Sequence, residues 1–322
     1  SAGSARHTDR PPASPYGPPT HPRRAPPRPR PTPPPTPHHQ APPPGPPPAR
    51  GGPPPPPVSV LLAGALLLLV VLVAVAPGLF TGVSPTATDP PAALRGPGAE
   101  YWLGTDQLGR DLYTRILYGA RPSLLLGFGS TVISVVLGAA FGLAAALGGR
   151  IADQVLMRLA DILLALPALL LALLIVTVLG AGTVNVMTAI GIAFVPGYAR
   201  LVRAEAMVVR RSGYVESAVA LGLPRRSIVL RHVLPNALAP LLTLATVGFG
   251  TALISASGLS FLGLGPAAPS PEWGALLSAG RDFLQTAWWI GVFPGAAVTV
   301  TVIAVNVVGR HVQQRFTRRS AR

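Results

Sequence analysis

The sequence predicts an all-α, polytopic membrane protein with six transmembrane helices and a disordered Pro-rich N-terminal tail. Three observations carry that prediction. Apolar residues make up 49% of the 322 residues and charged residues only 11%, and mean hydropathy is +0.47, too greasy for a soluble domain of this length. Beyond residue 57, apolar runs recur that are long enough to cross the ~30 Å hydrocarbon layer as helices. All 26 basic residues are arginines, and most of those beyond the tail border these runs, which is the placement that orients a chain in a bilayer. The lipid bilayer is therefore the expected partner, and no nucleic acid is. The chain has no cysteine, which excludes disulfides and thiolate metal sites.

The elements follow in order. Residues 1–57 hold 25 of the 40 prolines and almost nothing apolar, so this segment cannot bury enough surface to offset chain entropy and reads as a disordered Pro/Arg-rich tail. Its proline runs can recruit a proline-reading domain or remain simply solvated. The first span is 58–76; it ends in an Ala-Val-Ala that resembles a signal-peptidase site, but the long Pro-rich segment before it and Pro77 after it favour a retained signal anchor. Residues 77–121 read as a loop followed by a short amphipathic helix. Thr105 or Asp106 caps that helix, Leu108, Leu112 and Ile116 form its apolar side, and Gly119 ends it. Asp106, Arg110, Asp111 and Arg115 fall on its polar side.

Residues 122–309 form a five-helix core. Its first run, 122–147, is uncharged and carries Gly138 and Gly142, a small-residue pair four apart that permits close helix packing. The next, 162–179, has Pro167 near its start, where a bend is expected, and Arg158 and Asp161 at its edge, placed to pair. The runs 183–199, 237–257 and 288–308 complete the set, and 310–322 reads as a basic tail. With the N-terminus inside, the inner segments hold 21 arginines and the outer ones 5. Without the long N-terminal tail the split is still 14 to 5, so both termini and the segment 212–236 are expected in the cytoplasm of a cell-membrane protein.

That segment, SGYVESAVALGLPRRSIVLRHVLPN, is the one sizeable cytoplasmic interruption of the core. Ser212 and Gly213 break the incoming helix, residues 214–221 form about two turns, and Gly222 and Pro224 end them. Pro235 then sits in the first turn of the fifth span, where proline is tolerated. The product is a short helix lying across two span ends, with Tyr214, Glu216 and the arginines Arg225 and Arg226 to present. A rigid knob of this kind suits a groove on another protein; an ordinary basic connecting loop fits the local chemistry equally.

The order Glu216, Ser217, Ala218, Gly222, Leu234, Pro235 resembles the EAA signature of ABC importer permeases. The runs YVE at 214–216 and RHVLPN at 231–236 are similar to the dipeptide, oligopeptide and nickel importer permeases. LGTDQLGRD at 103–111, with Gly104, Thr105, Asp106, Gly109, Arg110 and Asp111, and YGAR at 118–121 resemble the second, C-type permease subunit of those systems. FLGLG at 261–265, with Gly263 and Gly265, and PEWG at 271–274, with Glu272 and Trp273, resemble the family's segment before the last span. The likeness covers residues 101–310, with Ser217 a departure that still permits close approach, and the proline-rich tail lies outside it.

This resemblance implies a type I ABC importer permease fold, and alternating access driven by ATP-Mg bound on separate subunits. The implied partners are a homologous second permease subunit, one or two ABC ATPase subunits, and an extracytoplasmic solute-binding protein. The implied cargo is di- or oligopeptide, with nickel or another small solute as the alternative. The chain itself is expected to bind no cofactor and to catalyse nothing. It has no lysine and hence no Gly-Lys-Ser/Thr phosphate loop, no His-Glu-x-x-His, and no serine with a plausible base at membrane depth. Spans almost free of ionisable groups also argue against a stand-alone ion-coupled carrier.

Overall fold

In the computed structural model, residues 57–229, 231 and 234–320 are described. The tail expected to be disordered lies outside them, apart from Pro57. Ten α-helices follow: α1 (Val58–Val75), α2 (Leu112–Leu147), α3 (Gly149–Leu164), α4 (Ala168–Leu179), α5 (Thr183–Arg210), α6 (Gly213–Ala220), α7 (Arg225–Ile228), α8 (Leu234–Phe261), α9 (Trp273–Gly280) and α10 (Trp289–Ser320). Five of them (α1, α2, α5, α8 and α10) are long and apolar enough to cross a membrane. The pair α3–α4, bent by 94° at its break, is the sixth crossing.

Several expected boundaries are corrected. The short amphipathic helix ending at Gly119 does not exist as a separate element. Asp111, rather than Thr105 or Asp106, caps the helix by accepting from the Thr114 N–H at 3.0 Å, and α2 then runs 36 residues without a stop. Gly119 does not end it because a tertiary contact holds it in register: a Cβ there would sit 2.2 Å from the Pro271 carbonyl oxygen. Pro122 stays within α2, as prolines do in membrane helices where neighbouring segments support the backbone. The bend expected at Pro167 is present and sharp, a 94° break between α3 and α4. Asp161 pairs with Arg200 at 2.8 Å and not with Arg158. The last helix continues to Ser320 through much of the segment expected to be a tail, because the arginines and glutamines after residue 309 are good helix formers.

The bundle is built around a seam between α2 and α5, which run in the same direction. Ser130 donates to the Met187 carbonyl at 3.1 Å and Ser134 to the Gly191 carbonyl at 2.8 Å. Further along, Gly138 faces Tyr198 and Gly142 faces Ala199 and Val202, so closely that a Cβ at Gly138 would lie 2.4 Å from that of Tyr198. Every third or fourth residue of α2 on this face is glycine or serine, and the backbones approach accordingly. Leu171, Ala172 and Val176 of α4 join Val186, Ala189, Ile190 and Ala193 of α5 in one buried cluster with Leu126 of α2. Helix α8 packs on α2 and α5, while α1 rests on α10 and α2.

Candidate functional site

At the end of the bundle where α2 and α5 finish, α6 lies across both helices. Its anchor is Val215, which with Ile228 of α7 is buried against Ala146 of α2 and Ala206 of α5. Arg210, in the last turn of α5, donates to the Ala146 carbonyl and pins the two helix ends together. Ser212 turns the chain: the Val215 N–H reaches its carbonyl at 3.0 Å, and α6 begins at Gly213. The helix ends at Gly222, which adopts φ +74° with open space around the position a Cβ would take, so backbone conformation rather than crowding within this chain requires glycine there. Pro224 then starts α7 by accepting from the Ser227 N–H at 2.9 Å.

Of the residues expected to form this site, Ser217 is exposed on α6, its hydroxyl donating to the Gly213 carbonyl at 2.8 Å. The backbone places Tyr214, Glu216 and Ala218 on α6, Arg225 and Arg226 on α7, and Leu234 and Pro235 at the start of α8; their side chains, and His232 altogether, lie outside the described residues. The structure adds two features that sequence reasoning missed. Leu221 and Leu223 flank Gly222 and are exposed, which offers apolar surface next to the turn. Arg203 and Arg210 lie on one face of α5 and grip the α2–α3 corner, a pattern signalled by their seven-residue spacing.

At the opposite end of the bundle, the motif 103–111 forms a locked loop. Asp106 is 2% exposed; Oδ1 accepts from the N–H groups of Leu108 (2.8 Å) and Arg110 (3.0 Å), and Oδ2 from the Arg110 side chain (2.7 Å) and from Arg115. Of the four residues expected on the polar side of a helix, Asp106, Arg110 and Arg115 form a buried ion cluster, and Asp111 caps α2. Thr105 is also buried, and its carbonyl accepts from Trp289 Nε1 of α10 at 3.0 Å. Gly109 has φ +73°, and a Cβ on it would overlap the Asp89 carbonyl at 1.8 Å; Gly104, φ +77°, is similarly enclosed by Arg95 and Trp289.

The motif at 261–274 is locked as well. Glu272 is fully buried and caps α9, accepting from the N–H groups of Gly274 and Ala275, both at 2.8 Å, and from the Ser123 hydroxyl of α2 at 3.3 Å. Ser123 in turn accepts from the Trp273 N–H at 2.9 Å, and Trp273 Nε1 donates to the Ile116 carbonyl at 2.9 Å. Burial pushes the Glu272 carboxyl above its usual range, an effect opposed by these hydrogen bonds. Gly263, φ +84°, terminates α8, and Gly265 packs against Ser260. Both motifs therefore build the frame around the start of α2, about 54 Å of helix away from α6.

The comparisons agree with this architecture. The family model described as binding-protein-dependent transport system inner membrane component matches residues 135–322. The dipeptide transport system permease protein of Alkalihalophilus pseudofirmus is 44% identical over 238 residues, 74% of this chain and 78% of that protein. The di/tripeptide transport system permease protein of Pseudomonas aeruginosa is 44% identical over 220 residues, 68% of this chain and 73% of that one. Among solved structures, an inward-facing conformation of the MetNI methionine ABC transporter aligns with TM-score 0.52 and 17% identity, covering 62% of this chain and 95% of that chain, a likeness of fold. A multi-pass membrane protein with this bundle and these relatives belongs to the binding-protein-dependent transport system inner membrane components, the permease subunits of ABC importers.

Proposed function

We propose that the chain forms half of a peptide translocation pathway, and that α6 is the lever through which a separate ATPase drives it. The observation that carries this reading is the anchoring of α6 on the ends of both α2 and α5 through Val215, packed with Ile228 of α7, while Arg210 ties those two helix ends to each other. A push on α6 therefore moves the seam helices as one body. ATP can bias two pore states only through contacts that differ between them, and a short rigid helix at the bundle end supplies such contacts. Glu216, Leu221, Leu223 and the arginines of α7 would meet the ATPase groove, with ATP-Mg held on that subunit and no cofactor on this one.

The arginine asymmetry puts α6 and both termini on the cytoplasmic side and the locked loops 103–111 and 261–274 outside, where a solute-binding protein would deliver cargo to this chain and a second permease subunit. Di- or oligopeptides are the cargo favoured by the names of the relatives. The test is uptake of labelled dipeptide into vesicles holding the assembled importer, with and without ATP. Wild type should accumulate peptide only with ATP and binding protein; Glu216→Lys and Gly222→Val should each reduce uptake at least about tenfold with assembly unchanged. ATP-independent uptake, or full uptake by both variants, would overturn the assignment.

A further inference from the structure

We propose that Asp153 and Arg203 yoke α3 to α5, so that displacement of α6 is delivered to the first half of the broken span. The inference rests on the lever role of α6 proposed above. Arg203 and Arg210 lie two turns apart on one face of α5. Arg210 holds the Ala146 carbonyl at the end of α2, and Arg203 grips both oxygens of Asp153 near the start of α3, with its Nη2 2.6 Å from Oδ2. Between these two grips lies the corner of Gly148 and Gly149, the latter at φ +88° with open space around it. Gly148 packs closely on Ala144 and Ala152 while Gly149 supplies the left-handed turn, and the two arginines brace the corner on either side.

Packing holds α3 through few side chains, Ala160 and the partly buried Leu163 among them. Ala160 is the one residue of the helix that is buried, whereas Ile151, Val155, Leu159 and Ile162 present an exposed apolar stripe. By contrast α4, beyond the 94° elbow, is seated in the core through Leu171, Ala172 and Val176. The arm between corner and elbow is therefore tied to α5 by this packing and also by its ion pairs. Of these, Asp161–Arg200 is about half exposed on both sides and contributes little. Asp153–Arg203 is bidentate and two-thirds or more buried, the geometry in which such a pair is strongest. A cleft of about 500 Å³ runs beside it, lined by Gln154, Met157, Arg158 and Asp161, and gives the arm room to move.

The yoke is tested in vesicles holding the assembled importer, by peptide uptake and by the ratio of binding-protein-stimulated to basal ATPase activity. Asp153→Asn and Arg203→Gln should each lower uptake at least about tenfold and bring the ATPase ratio toward one, with the amount of assembled complex unchanged. The exchanged pair Asp153→Arg with Arg203→Asp should recover both readouts to within about threefold of wild type, and Asp161→Asn should stay within about twofold. Single variants that keep uptake and ratio, or an exchanged pair as impaired as the singles, overturn the proposal.

If the single variants fail to assemble, the absence of native cysteine in this chain provides a second route. Cysteines at 153 and 203, joined by a short thiol-reactive bridge, replace the ion pair with a covalent link. Retained uptake in the bridged complex supports a yoke whose two ends travel together; its loss in an intact complex means the helices must separate, and the proposal falls. A wild type without ATP-dependent uptake would instead sink the transport assignment itself.

Discussion

At the scale of single residues, the buried carboxylates behave as construction elements. Asp106 satisfies two backbone N–H groups and two arginines in one loop. Removing Asp106 would leave two buried guanidiniums without a counter-charge, which costs about 3–5 kcal/mol. Glu272 is buried without a cation in contact among the described residues, so its charged form is stabilised by N–H and hydroxyl donors alone. Its folded-state pKa lies above the ordinary value of 4.5, so the folded state holds the proton more tightly than the unfolded chain does. The resulting contribution is fully present below the ordinary value and is lost as pH rises through the folded one. The melting temperature of wild type relative to Glu272→Gln should therefore rise on acidification across that window; a flat difference would refute the shift. These residues were legible as motif positions, but their burial was not. Four-residue spacing, as in Asp106 and Arg110, fits a helix face and also fits a turn folded back at a left-handed glycine.

At the scale of elements, the spans were legible because uninterrupted apolar runs have few other uses, whereas their ends were not. Gly119 reads locally as a stop and Pro122 as the start of a new run, and long-range packing of Pro271 and Trp273 on α2 joins the two into one helix. The short helix α6 was legible from Gly213 and Gly222, since a break and a left-handed terminator bracket it in sequence. Its grip on the bundle was not, because Val215, Ile228 and Arg210 find partners more than sixty residues away in α2. The seam offers a paired test of element packing. Gly138→Val drives a side chain into Tyr198 and should destabilise the complex by about 1–3 kcal/mol in thermal melts. Gly197→Ala, on the same stretch of α5 but facing open space, should be neutral or stabilising by up to about 1 kcal/mol. Equal effects from the two would mean that the seam is not tightly closed.

At the scale of the whole molecule, the two ends of the bundle are built differently. One end is a frame of interlocked loops pinned to α10 by Trp289 and to α2 by Ser123 and Trp273. The other carries a short helix on exposed turns, with apolar side chains outward. The orientation proposed from the arginine count has the first end outside and the second in the cytoplasm. Single cysteines decide the matter: Trp102→Cys, exposed in the outer loop, should react with a membrane-impermeant maleimide in intact cells, and Ser217→Cys only after permeabilisation. The reverse pattern would invert the topology. The parallel course of α2 and α5 has a consequence for biogenesis. Neighbouring helices that run the same way cannot be inserted as a hairpin, so a nascent chain must hold the glycine–serine face of α2 open while α3–α4 completes the return crossing. The central joint of the molecule closes only when α5 arrives. Until then a stripe of small, polar-edged residues stands against lipid, and the elbowed crossing sets how long it waits.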